Sequence, residues 1–132
     1  MSKSKGSVVD PLELLKKYPP DLLRVYFMAK INFLEDGTFN EDLLKEFYQD
    51  FLVNNLSNLC SRVGKMLELY CNSLVPDFEE SKNAKLNEYY QNCLSIAKQY
   101  QSLMDSYQLT KAFQEVQKLL SLSNKLIQEL EP

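Results

Sequence analysis

The sequence predicts a mainly α fold: a short leading segment followed by an α-helical bundle. Two observations carry that prediction. Apolar residues recur almost throughout at intervals of three or four, the spacing that turns one side of a helix toward a core. Only three glycines, Gly6, Gly37 and Gly64, punctuate the pattern. With 132 residues, 45% of them hydrophobic, the chain is long and apolar enough to bury one core of ordinary domain size.

The elements follow in order. After a Ser/Lys-rich start and the β-branched pair Val8-Val9, Asp10 is placed to cap a helix, with Pro11 in its first turn and Glu13 three residues past the cap. That helix is expected to end near Tyr18. Pro19-Pro20-Asp21 restarts the chain, because proline suits a first helical turn and disfavours helix in the residue before it. Leu22, Leu23, Val25, Tyr26 and Phe27 supply the apolar side of the second helix.

Glu35-Asp36-Gly37-Thr38, between Phe33 and Phe39, reads as a loop with a short extended piece, and Asn40 as the cap of the next helix. One long helix is predicted from about Glu41 to Tyr70, with Leu52, Leu56, Leu59, Val63, Met66, Leu67 and Tyr70 on one side. Asn54, Asn58 and Lys65 then fall on the far side, with Arg62 at its flank. Asn72 to Lys82 is a connecting loop. Leu86, Tyr89, Tyr90, Cys93, Ala97, Tyr100 and Met104 line a further helix. Leu109, Ala112, Phe113, Val116, Leu120, Ser123, Leu126, Ile127 and Leu130 line the last, and these spacings suit an antiparallel bundle.

Composition excludes several functions. There is no histidine, which removes Ser-His-Asp and Cys-His nucleophile arrangements and the commonest neutral-pH general base. Cys60, Cys71 and Cys93 are odd in number and far apart, matching no short-spaced metal-ligand pattern, so reduced, partly buried thiols are expected and no metal site. No run approaches the roughly 20 apolar residues of a membrane span, and the start lacks an apolar signal segment, so a cytoplasmic protein is expected. The net charge of -3 opposes broad nucleic-acid binding, DNA included. Yet residues 1–30 carry six Lys/Arg against three Asp/Glu, and the remainder nine against fifteen, which concentrates any phosphate contact near the start.

Several segments resemble the methionyl-tRNA synthetase family, class I aminoacyl-tRNA synthetases. Met1-Ser2-Lys3-Ser4 is similar to the last four residues of the family's KMSKS loop, and Lys5-Gly6-Ser7-Val8-Val9-Asp10-Pro11 continues as the family does. Asp21-Leu22-Leu23-Arg24-Val25-Tyr26 resembles its D-A-L-R-Y-Y segment. Phe33 to Glu41 resembles F-x-x-D-G-D-F-S-E, and Asn54 to Arg62, N-N-L-S-N-L-C-S-R, resembles N-D-L-G-N-L-x-S-R.

The resemblance implies a KMSKS loop and stem-contact segment over residues 1–39 and an anticodon-binding helical bundle over 40–132. It implies that Met1, Ser2, Lys3 and Ser4 belong to the ATP loop of an intact enzyme, with Lys3 steadying the transition state of adenylation. It also implies that Asn58 and Arg62 lie against the CAU anticodon of tRNA(Met). One helical turn apart, an amide that both donates and accepts and a planar cationic fork can address one exposed nucleotide. The chain itself is expected to hold no cofactor. The family's histidine-containing HIGH signature has no counterpart here, so the isolated chain is expected to be inactive and to need the catalytic domain as a partner.

Departures accompany the matches. Ser7 stands where Asn is usual, Asn55 where Asp is, and Ser57 where Gly is. Ser123 to Pro132 resembles N-K-Y-I-x-x-x-x-P-W without the tryptophan that stacks on an anticodon base in the family, so weak RNA binding is expected. Both ends cut through motifs, which is expected of a piece of a larger enzyme. Two other classes remain open from sequence: a stand-alone helical tRNA-binding or assembly subunit, and a non-catalytic protein-interaction module.

Overall fold

The computed structural model describes residues 9–32, 34, 35, 37–77 and 82–130. Among them the chain is helical, with no strand: α1 (Pro11–Lys17), α2 (Pro20–Lys30), α3 (Glu41–Phe47), a π-helical segment (Tyr48–Ser57), α4 (Asn58–Cys71), α5 (Ala84–Asp105) and α6 (Leu109–Leu130). Three of these start on a side-chain acceptor that satisfies an otherwise free amide. Asp10 Oδ1 accepts from the Leu12 N–H at 2.9 Å, Asn40 Oδ1 from Asp42 at 2.7 Å and Asn83 Oδ1 from Lys85 at 3.0 Å. α2 has no side-chain cap and relies on Pro20, which lacks an N–H, in its first turn. The reciprocal half of the expected Asp10 capping box is absent, because the Glu13 carboxylate turns instead to the Lys16 ammonium at 2.6 Å.

An aromatic cluster builds the core. Tyr26 of α2 is 1% exposed and meets Phe39 and Phe47 edge-on, with ring centres 5.6 Å apart in both cases. Phe47 stacks on Phe51 at 5.4 Å, and Phe113 of α6 closes on Phe51 at 4.8 Å. Edge-on and offset pairs of this kind add to the apolar burial that drives the fold. Leu14, Leu22, Leu23, Leu44, Leu59 and Leu120 complete the same cluster. Residues on both sides of position 39 therefore share one core. α5 packs along α6, and Ile96 of α5 and Ala112 of α6 are buried. The Thr110 hydroxyl donates to the Ile31 carbonyl at 3.2 Å, tying the start of α6 to the end of α2.

The predicted single α-helix from Glu41 to Tyr70 needs correction. The path is helical throughout, to Cys71, but ten residues, Tyr48–Ser57, adopt the wider π turn. A wider turn changes which residues point inward. Leu44, Phe47, Phe51 and Leu59 are the buried residues of this stretch, while Leu52 and Leu56 are only half-buried and Tyr70 is 70% exposed. α2 and α5 differ from expectation in the same way. Phe27 is 40% exposed, and Ile96 is buried while its neighbour Ala97 is exposed.

The loop before α3 contains no extended pairing among its described residues. Gly37 sits there for lack of space: a Cβ at that position would lie 2.6 Å from Ile31 Cδ1. α4 ends on left-handed Asn72, whose N–H, like that of Ser73, reaches the Leu67 carbonyl, an ordinary helix stop built with Asn in place of Gly. All three cysteines are free, and Cys60 is exposed rather than partly buried as expected.

Candidate nucleic-acid interface

The π segment and α4 together position the predicted anticodon residues. Asn58 is the first residue of α4 and is exposed; Arg62 follows one turn later and is half-buried. Their spacing of four on a regular helix puts them on neighbouring positions of one side. Neither side chain makes a hydrogen bond or ion pair with another described residue. Asn54 and Lys65 are exposed on the same helical path, as the sequence placed them. Val53, Asn54, Ser57, Asn58 and Ser61 line a shallow surface depression of about 390 Å³.

The π segment carries its other asparagine inward. Asn55 Oδ1 accepts from Asn124 Nδ2 of α6 at 3.0 Å, and the same Asn124 amide donates to the Leu120 carbonyl at 3.1 Å. Asn54, by contrast, accepts only from Gln49 at 3.1 Å, within its own segment. Adjacent residues thus serve two purposes, one anchoring the segment to α6 and the other facing outward. Sequence reasoning missed the Asn55–Asn124 bridge. Its partners lie 69 positions apart, and an asparagine within a helical stretch gives no signal of a distant bond.

The electrostatics of this surface differ from the rest of the chain. Between Asp50 and Glu68 there is no acidic residue, and Arg62 and Lys65 are the only charges. Elsewhere cations are commonly neutralised: Lys16, Lys17, Arg24, Lys45, Lys85, Lys118 and Lys125 each stand within 4.0 Å of a carboxylate. A second, larger cavity of about 520 Å³ opens between α2, α3 and α6 over Phe47 and Phe51, with Lys30, Glu46 and Asp50 at its rim. It brings together none of the predicted site residues.

Met1, Ser2, Lys3 and Ser4, the predicted ATP loop, lie outside the described residues. Among the described residues no group of three or more Cys, Asp and Glu side chains is arranged to hold a metal ion, and no helix is long and apolar enough to cross a membrane.

A sequence profile of the family described as tRNA synthetases class I (M) matches residues 1–64. The methionine–tRNA ligases of Oceanobacillus iheyensis and Mycoplasmopsis pulmonis are each 37% identical to the chain over 133 aligned residues, and that of Ureaplasma parvum is 35% identical over 135. Every one of these alignments covers 100% of the chain but only 20%, 26% and 25%, respectively, of the relative. The chain thus spans about a fifth to a quarter of the length of the curated relatives it matches. It belongs to the methionyl-tRNA synthetase family, whose members it matches over one segment of their length.

Proposed function

We propose that this chain supplies tRNA recognition to a methionine–tRNA ligase, with Asn58 and Arg62 reading the CAU anticodon of tRNA(Met) and the adenylation chemistry residing in a catalytic domain that the chain partners. The observation that carries the reading is the pairing of family membership with an outward-facing Asn58 and an adjacent Arg62 that no described side chain engages. Their polar groups are available to a base. An exposed amide can meet a Watson–Crick edge by donating and accepting, and a guanidinium can stack on the ring or hydrogen-bond to it.

The bundle contributes a rigid base for both residues. α4 is anchored through Leu59, 9% exposed, and the two polar side chains emerge together on one side of that core contact. Residues placed on a firmly packed helix hold their geometry better than residues on a loop. Within the intact enzyme Met1, Ser2, Lys3 and Ser4 would belong to the ATP-handling loop. A lysine ammonium there suits charge that builds on phosphate oxygens.

The test is binding of the purified chain to a short RNA hairpin with CAU in its loop, measured against the same hairpin carrying another triplet. Preference for CAU is expected in the parent and its loss in Asn58→Ala and Arg62→Ala, with helicity unchanged. Equal binding of both hairpins by parent and variants would refute the reading.

A further inference from the structure

Lys65 lies seven residues beyond Asn58, about 10 Å along the axis of α4. It is exposed, and among the described residues it has no carboxylate partner. Arg62, half-buried one turn earlier, likewise has no carboxylate partner among them. The stretch they occupy is free of acidic residues from Phe51 to Leu67, in a chain that is acidic overall. The depression at the opposite end of the stretch is lined by Val53 and four short neutral polar side chains, Asn54, Ser57, Asn58 and Ser61, which offer hydrogen bonds without repelling an anion. Gly64 adds a bare spot beside Lys65, with nothing within 4 Å of where its Cβ would be.

A surface with these properties accommodates a polyanion lying along the helix. Unpaired cations can enter phosphate contacts without first breaking a salt bridge, and hydroxyl and amide groups can bond to phosphate oxygens and sugars. We propose that Lys65 is a phosphate contact for a single-stranded RNA backbone, and that the outer side of the π segment and α4, from Asn54 to Lys65, is the track along which that backbone runs. This deepens the anticodon reading and rests on it for the identity of the RNA. Lys65 contributes to affinity without reading sequence, whereas Asn58 and Arg62 read the base.

The two roles separate by salt dependence. Each phosphate neutralised on a single strand contributes about 0.7 to the slope of log affinity against log salt. Binding of the CAU hairpin and of the altered hairpin is measured from 50 to 200 mM salt for the parent chain, Lys65→Gln, Lys65→Arg and Asn58→Ala. Lys65→Gln is expected to lower the slope by about 0.7 for both hairpins, so that the parent loses about two- to threefold more affinity across that range than the variant. The ratio between hairpins stays unchanged in Lys65→Gln, and Lys65→Arg keeps the parent slope. Asn58→Ala keeps the slope and loses the ratio.

An unchanged slope in Lys65→Gln, with the parent still preferring CAU, overturns the phosphate contact and leaves the anticodon reading standing. A Lys65-dependent slope without preference between hairpins supports the contact and overturns the anticodon reading. Failure of the parent to bind either hairpin overturns both. Because Lys65 and Asn58 are exposed, circular dichroism is expected to show the same helicity in all four proteins.

Discussion

The Tyr18 hydroxyl donates to Glu41 Oε1 at 2.8 Å, joining the residue that ends α1 to the first residue of α3 across 23 positions. The Lys17 ammonium stands 3.4 Å from both oxygens of the same carboxylate. The shared hydrogen bond is the main cause of two opposite shifts. It holds the Glu41 carboxyl below its ordinary value of 4.5 and pushes the Tyr18 hydroxyl above its ordinary value of 10.0.

This pair makes stability depend on pH at both ends. Glu41, lowered on folding, contributes stability above the ordinary glutamate range that disappears as pH falls through the lower folded value. Tyr18, raised on folding, contributes stability below the ordinary tyrosine range that disappears as pH rises through the higher folded value. Tyr18→Phe is expected to lower the thermal midpoint at neutral pH and to flatten both limbs of its pH profile. Scanning calorimetry across acid, neutral and alkaline buffers checks this; a profile parallel to the parent's would refute it.

Two glycines are expected to respond in opposite directions to alanine. At Gly37 the added methyl meets Ile31, so Gly37→Ala should destabilise by about 1–3 kcal/mol, the usual cost of overpacking. At Gly64 the methyl meets nothing, and replacing a helical glycine by alanine should stabilise by about 0.5–1 kcal/mol. Urea unfolding of the two variants beside the parent reads both values.

The helical path from Glu41 to Cys71 sets a contrast between a leucine near its start and an aromatic residue near its end. Leu44 is 0% exposed, and Leu44→Ala is expected to cost about 2–5 kcal/mol. Tyr70, three turns beyond buried Leu59 on the same α-helix, is 70% exposed, and Tyr70→Ala should change stability by no more than about 0.5 kcal/mol. A large loss on truncating Tyr70 would mean that its ring packs against the bundle.

The Asn55–Asn124 bridge should behave as a coupled pair. Asn124→Ala removes the donor to both Asn55 and the Leu120 carbonyl and is expected to cost about 1–2 kcal/mol. Asn55→Asp keeps an acceptor at the same place and should be nearly neutral. A double-mutant cycle between Asn55→Ala and Asn124→Ala should give a coupling of about 0.5–1.5 kcal/mol. Strict additivity would show that the bridge contributes nothing.

The sequence was most legible where one residue dictates its own surroundings. Asp10 and Asn40 cap helices because a short polar side chain can reach an amide two positions on, and Pro20 opens a helix because it has no N–H to lose. The exposed position of Asn58 followed from spacing alone. What escaped was set by distant partners. Phe47 and Phe51 turn inward where Tyr26 and Phe113 meet them, and nothing in the spacing of the sequence marks the π turn over Tyr48–Ser57. Asn55 and Asn124 are indistinguishable in sequence from solvated helix residues until the fold brings them together.

Phe113 has a consequence for the order of events during synthesis. Its ring covers Phe47 and Phe51, which leave the ribosome some 60 residues earlier, or roughly 3–12 s at ordinary elongation speeds. For that interval two large aromatic rings lack the partner that shields them. The nascent chain up to α5 should accordingly be a chaperone client, released when α6 emerges and closes over the rings.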